Sequence, residues 1–212
     1  QMFKTIKIFI VLVTTAMATQ AQAQSPVAMV LSISGDVVLE IPGKPVKLEP
    51  FSRLLEGDRV KLGSDARVSF VYPRSGRQED WSGSGAVLTG SSESTQAGGK
   101  PRLEVKQLPT KVAQQLARTP VSDTSGKAGM VRMRAISSAD TLDVLEKQYA
   151  KMRVEAAPSD RSPEIFFLAG LNDMGMNERI KEELTRMGKE YPNDATIKAL
   201  TKAYAKAMGG KY

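Results

Sequence analysis

The sequence predicts an α+β chain of more than one domain, an all-β sandwich or barrel-like part followed by a four-helix tail. Two observations predict it. Residues 26–90 carry short apolar runs separated by Gly, Pro and Asp turn signals at intervals of about 8–12 residues, with no helical period between them. After Ser138 the apolar spacing changes to three and four, that of an amphipathic helix, and stays so to the end. With 212 residues, 41% of them hydrophobic, the chain can build the packed cores that this reading requires.

Ahead of the first strand, residues 1–23 read as a signal peptide. Lys4 and Lys7 precede an apolar run, Ile8 to Ala18, that ends in Ala21-Gln22-Ala23. The run is about half of the roughly 20 residues a membrane-crossing helix needs, so cleavage before Gln24, directed by Ala21 and Ala23, is expected rather than retention as an anchor. The mature protein is then periplasmic or secreted, with no membrane span.

The β-domain is expected over residues 26–136. Val27, Met29, Leu31 and Ile33 alternate with Ala28, Val30, Ser32 and Ser34, and Gly35-Asp36 turns the chain into Val37 to Ile41. Pro42 to Pro45 leads into Val46 to Leu48, Glu56-Gly57-Asp58 into Val60 to Leu62, and Gly63-Ser64-Asp65 into Val68 to Tyr72. Ser82-Gly83-Ser84-Gly85 could cradle a phosphate if it joined a strand to a helix, but Ala86 to Leu88 after it reads as a strand, so a plain turn is expected. The stretch 90–100 has almost no apolar content and reads as a mobile loop. Leu103 and Val105 then suggest a strand, Pro109 opens a short helix to Arg118, and Met130 to Ile136 suggest a strand returning to the sheet.

The helical module is expected over 138–212. Ser138 caps a first helix with Leu142, Leu145, Tyr149 and Met152 on one face, and Asp140 and Asp143 at its positive end. Pro163 starts a second, with Ile165, Leu168, Ala169 and Leu171, and Gly175 breaks it. A third carries Ile180, Leu184, Met187 and Tyr191 up to Pro192. A fourth, capped by Asn193 or Asp194, carries Ile197, Leu200, Tyr204 and Met208.

Composition narrows the chemistry. There are no cysteines and no histidines, which removes thiolate nucleophiles, imidazole bases, disulfides and the usual zinc ligands; no cofactor or metal is expected. The net charge of +7 becomes +5 once Lys4 and Lys7 are removed. So modest an excess points to an envelope protein partner or an anionic polymer such as polysaccharide or peptidoglycan, or to lipid headgroups, rather than to nucleic acid. Glu79-Asp80-Trp81 is the most enzyme-like cluster, two carboxylates beside the only tryptophan. Adjacent strand residues point to opposite faces, however, so the pair has the wrong geometry for glycosidase chemistry, and no catalytic residue is assigned. Tyr72, Arg74, Arg77 and Trp81 form the best ligand-binding candidate, since aromatic faces stack on sugar rings and guanidinium forks grip carboxylates. Lys198, Lys202 and Lys206, spaced four apart, make a basic stripe that can meet an acidic partner.

Ser34 to Val38, Leu54-Leu55-Glu56-Gly57-Asp58-Arg59-Val60 and Gly63 to Phe70 together resemble a FecR-like domain over about residues 26–90. The resemblance rests on a glycine before the second strand, a Leu-x-x-Gly-Asp turn, and a small-residue turn leading into an apolar strand. It implies an all-β, exported, non-catalytic module. FecR itself has a cytoplasmic segment and a membrane span before the β-domain; here only the leader precedes Ser25, so transmembrane signalling by this chain alone is not expected. The tail resembles a tetratricopeptide array, whose unit is a helix hairpin of about 34 residues. Bulky Ile180 and Met187 stand where that family has small residues, and Leu168 where it has glycine. Two hairpins at most are too few for a free-standing solenoid, so the tail is expected to pack on the β-domain or on a partner. The resulting expectation is an exported, non-catalytic binding or scaffold protein of a bacterial envelope; the alternative is a polysaccharide or peptidoglycan binder, or a carboxylate hydrolase, acting through Tyr72 to Trp81.

Overall fold

The structure, a computed structural model, describes residues 24–121 and 142–209. The expected leader with Ala21 and Ala23, the expected strand at 130–136, and the Ser138 cap with Asp140 lie outside the described residues. Those described form two antiparallel five-stranded sheets and five helices, an α+β fold. The strands are β1 Ala28–Ser34, β2 Val37–Ile41, β3 Lys44–Lys47, β4 Arg53–Leu54, β5 Arg59–Leu62, β6 Arg67–Tyr72, β7 Arg77–Ser82, β8 Gly85–Thr89, β9 Ser94–Gly99 and β10 Arg102–Gln107. The helices are α1 Thr110–Leu116, α2 Leu142–Glu155, α3 Ser162–Asp173, α4 Asn177–Glu190 and α5 Ala195–Ala207. The first sheet runs β10-β7-β6-β1-β4 and the second β3-β2-β5-β8-β9.

The two sheets face each other across one apolar core, which includes Val30, Val37, Val60, Phe70 and Val87. β1 departs from the strict alternation that its sequence suggests. Ahead of a bulge between Val30 and Ser32, Ala28 and Val30 face the core between the sheets while Met29 and Leu31 belong to a second core on the other side; beyond it Ile33, of the same parity as Met29 and Leu31, packs against the core between the sheets. The nearly unbroken apolar run from Val27 to Leu31 is thus the signature of a strand covered on both faces. Its outer cover is helical: Met29, Leu31, Phe51 and Val71 pack with Leu116, Ile165, Leu168, Leu200 and Tyr204. The described residues therefore form three layers, with helices on the outer face of the first sheet, and burial of each large side chain at that junction contributes roughly 1.5–3 kcal/mol.

The chain passes from one sheet to the other at tight corners, four of which gather at one end: after β1, between β5 and β6, between β7 and β8, and between β9 and β10. Small residues are needed there. Gly35 has φ 79°, and a Cβ on it would lie 2.9 Å from the Ala66 Cα, so neither the conformation nor the space admits a side chain. Hydrogen bonds from Gly63 N to Asp36 O (2.9 Å) and from Gly83 N to Ala66 O (3.0 Å) lock the corners together. In the Leu-x-x-Gly-Asp turn, Leu55 N donates to Asp58 Oδ2 at 2.8 Å, the turn bond that the sequence suggests.

Two expectations need correction. Residues 94–99, read as loop, form strand β9, paired to β8 through the backbone in spite of their polar side chains. And α3 is not amphipathic: every residue from Ser162 to Leu171 is buried, because this helix is the central one, in contact with α1, α2 and α4. The other helices bury the faces expected of them, α4 through Ile180, Leu184 and Met187, and α5 through Ile197, Leu200 and Tyr204. Asp194 rather than Asn193 caps α5, its Oδ1 accepting from Thr196 N and Ile197 N at 2.9 and 3.1 Å.

Two ion pairs, each with one buried member, Glu164 in the first and Arg161 in the second, join the helices. Arg153 holds both oxygens of Glu164, at 3.1 and 3.0 Å, and donates to the carbonyls of Ala156, Ala157 and Asp160, which fixes the α2–α3 connection. Arg161 Nε donates to Asp194 Oδ2 at 2.7 Å, and its guanidinium lies 3.8 Å from the centre of the Tyr191 ring, so the starts of α3 and α5 are bound together.

The sheet is tied to the same connection by Lys106 of β10, whose Nζ lies 3.2 Å from Asp160 Oδ2. Burial pushes the Asp160 carboxyl up, but hydrogen bonds from Ser162 and the charge of Lys106 outweigh it and hold the group below its ordinary value. A carboxyl depressed in this way stabilises the fold above its unfolded pKa of about 3.9, and the contribution is lost as pH falls through the folded value. The difference in urea midpoint between the parent and Asp160→Asn is therefore expected to be full at neutral pH and to shrink below about pH 4. A difference that stays constant on acidification would contradict the assignment.

Candidate functional site

Strand β7 places Arg77, Glu79 and Trp81 on the inner face of the first sheet and Gln78 and Asp80 on the outer one, as period-two alternation requires. Glu79 is fully buried and still satisfied: Oε1 accepts from Arg77 Nε at 2.6 Å and from Ser94 N at 3.0 Å, and Oε2 accepts from Trp81 Nε1 at 3.0 Å. Arg77 compensates the charge, and the two neutral donors occupy the remaining lone pairs, which is what a carboxylate in the interior needs. Tyr72 joins the same network through its hydroxyl, 2.6 Å from Ser94 Oγ. Burial, with the Glu79 charge adding to it against the opposing Ser94 hydrogen bond, keeps the Tyr72 phenol protonated far above its ordinary range.

This arrangement corrects the expected sugar-binding group. Tyr72 is 0% exposed and Trp81 3%, so both rings are packed between the sheets with no face open for stacking. Arg77 is spent on Glu79, and Arg74 alone of the four is exposed. The signal was present in the sequence: Val68, Phe70 and Tyr72 share one parity on β6, so the tyrosine belongs to the face of the two apolar residues. Asp80, on the opposite side of the strand, accepts from Gln78 Nε2 at 3.3 Å and lies 3.6 Å from Lys106 Nζ. The two carboxylates thus face different layers. Among the described residues no group of three or more His, Cys, Asp or Glu is placed to hold a metal ion.

The basic stripe lies on the solvent side of α5. Lys198, Lys202 and Lys206 are exposed, on the side opposite Ile197, Leu200 and Tyr204. Lys202 Nζ is 3.8 Å from Glu49 Oε2, an exposed pair of little energetic weight.

At the corner end of the sandwich the turn at Ser82 and Gly83 stands among cations that no local pattern in the sequence groups with it. Ser64, Asp65, Arg67, Ser82, Gly83, Lys100 and Arg102 line an open concavity of about 420 Å³. The register assembles it: Arg67 of β6 and Arg102 of β10 both pair with Ser82 of β7, on adjacent strands of one sheet. Its members are 38 residues apart at the extremes, and only the strand order β10-β7-β6 brings them together.

No family model, no curated protein and no solved structure matches the chain. Among the described residues no helix is long and apolar enough to cross a membrane.

Proposed function

We propose that this chain is an exported, non-catalytic binding or scaffold component of a bacterial cell envelope, a FecR-like β-domain carrying a tetratricopeptide-like helical module. The observation that carries the reading is the fate of the Glu79-Asp80 pair. Glu79 is committed to Arg77, Trp81 and Ser94 inside the sandwich, and Asp80 faces the other way, so the cluster most like a hydrolase site is framework. Outward-facing charge is what is left for function, and on α5 that charge is the lysine stripe, suited to an acidic protein surface. The buried rings of Tyr72 and Trp81 count against the polysaccharide alternative at that place.

The test is cross-linking in envelope fractions at low salt, comparing the parent with the variant Lys198→Glu/Lys202→Glu/Lys206→Glu, together with sequencing of the N-terminus of the exported protein. A mature chain beginning at Gln24, cross-linked to an acidic envelope protein that the charge-reversed variant fails to hold, is the expected result. Retention in the cytoplasm, or equal cross-linking by both proteins, would sink the proposal.

A further inference from the structure

We propose that the concavity at the corner end of the sandwich is an anion site that takes a phosphate group. Arg67 and Arg102 flank Ser82 from the two strands on either side of it, so their Cα atoms stand about 10 Å apart, within reach of one anion held above Ser82. Lys100, in the crossing that leads into β10, supplies a third positive charge to the same wall. Among the described residues none of these three makes an ion pair, although Arg77, Arg153 and Arg161 elsewhere in the chain each hold a carboxylate. Asp65 is the one acidic group in the lining, and it pairs with none of them.

Three cations against one carboxylate leave about two positive charges, the complement of a phosphate monoester, which carries about −1.5 to −2 at neutral pH. The donor set matches as well. Guanidinium forks address two oxygens at once, and the hydroxyls of Ser64 and Ser82, which hold no partner among the described residues, can donate to a third. The position in the fold is suitable: the helices cover the outer face of this sheet at Met29 and Val71, and the row Ser34, Arg67, Ser82, Arg102 lies four residues farther along β6, roughly 13 Å away on the same face. The closely packed corners hold the cationic side chains at fixed roots. This site depends neither on export nor on the lysine stripe.

The test uses the mature full-length chain. Inorganic phosphate is titrated by calorimetry at low ionic strength, and in a second arm the protein is sedimented with phosphatidylcholine vesicles with and without phosphatidylglycerol. Saturable binding that weakens with added salt, and that falls about tenfold or more in Arg67→Ser and in Arg102→Ser but not in Lys61→Ser on the other sheet, is the expected result. Binding of inorganic phosphate with that pattern assigns a free phosphate or phosphomonoester; the same pattern on anionic vesicles alone assigns a headgroup. No binding of either probe, or binding that both arginine variants retain, would overturn the site. Unchanged thermal melting of the variants separates loss of binding from loss of fold.

Discussion

Replacing Glu79 with alanine is expected to destabilise the protein by about 3–5 kcal/mol, the usual cost of removing one partner from a buried ion pair. The reason is what stays behind. The Trp81 indole N–H and the Ser94 backbone N–H remain in a dry interior without an acceptor, and the Arg77 guanidinium loses its counter-charge. Arg77 is a quarter exposed and can turn partly toward water, which keeps the effect below the fully buried limit. Glu79→Gln, of the same shape, keeps one acceptor and should fall between the parent and the alanine variant. Urea denaturation followed by Trp81 fluorescence reads the series. A Glu79→Ala variant within about 1 kcal/mol of the parent would mean that the network does not hold the sheets as described.

Phe51→Ala is expected to cost a similar amount, about 3–5 kcal/mol, because the ring fills the junction between the first sheet and the helices. This residue has a second distinguishing feature. Its backbone has φ 68°, a conformation that bulky L-residues avoid, and it is held there by hydrogen bonds from its own N–H to Val30 O (2.8 Å) and from Val30 N–H to Ser52 O (3.0 Å). Glycine adopts that conformation without penalty. Phe51→Gly should therefore be less destabilised than Phe51→Ala by about 1 kcal/mol, the reverse of the order at ordinary strand and helix positions. The ordinary order, with glycine the worse, would contradict the backbone assignment.

Much of the architecture was legible in the residues. The apolar periods gave the helical faces of α2, α4 and α5, and the turn signals gave the boundaries of β1, β2, β5, β6 and β8. What escaped has physical causes. β9 has no apolar parity because it is an edge strand held by backbone bonds to β8, and its key contribution, the Ser94 amide to Glu79, is a main-chain group that no side-chain pattern reveals. α3 looked amphipathic because Ser162, Glu164 and Gly170 interrupt its apolar residues. Yet Glu164 is neutralised inside by Arg153, and a Cβ on Gly170 would come within 2.5 Å of Leu145, so those interruptions mark close packing rather than a wet face. The Tyr72 and Trp81 group is ambiguous in sequence because aromatic residues beside arginines suit both a sugar platform and a core with a buried counter-ion, and parity along β6 and β7 decides for the core. The Arg67, Lys100 and Arg102 cluster depends on strand order, which local patterns do not contain.

The helical layer and the sandwich share a core through Met29, Leu31, Phe51 and Val71 and so stand or fall together. Equilibrium unfolding in urea tests it directly, with fluorescence of the only tryptophan, buried between the sheets, compared with the helical circular dichroism signal of α1–α5. Superimposable transitions, shifted together by Phe51→Ala, are the expected result. Loss of the helical signal at lower urea while Trp81 remains buried, or a Phe51→Ala shift in one signal and not the other, would show two independent units and contradict it.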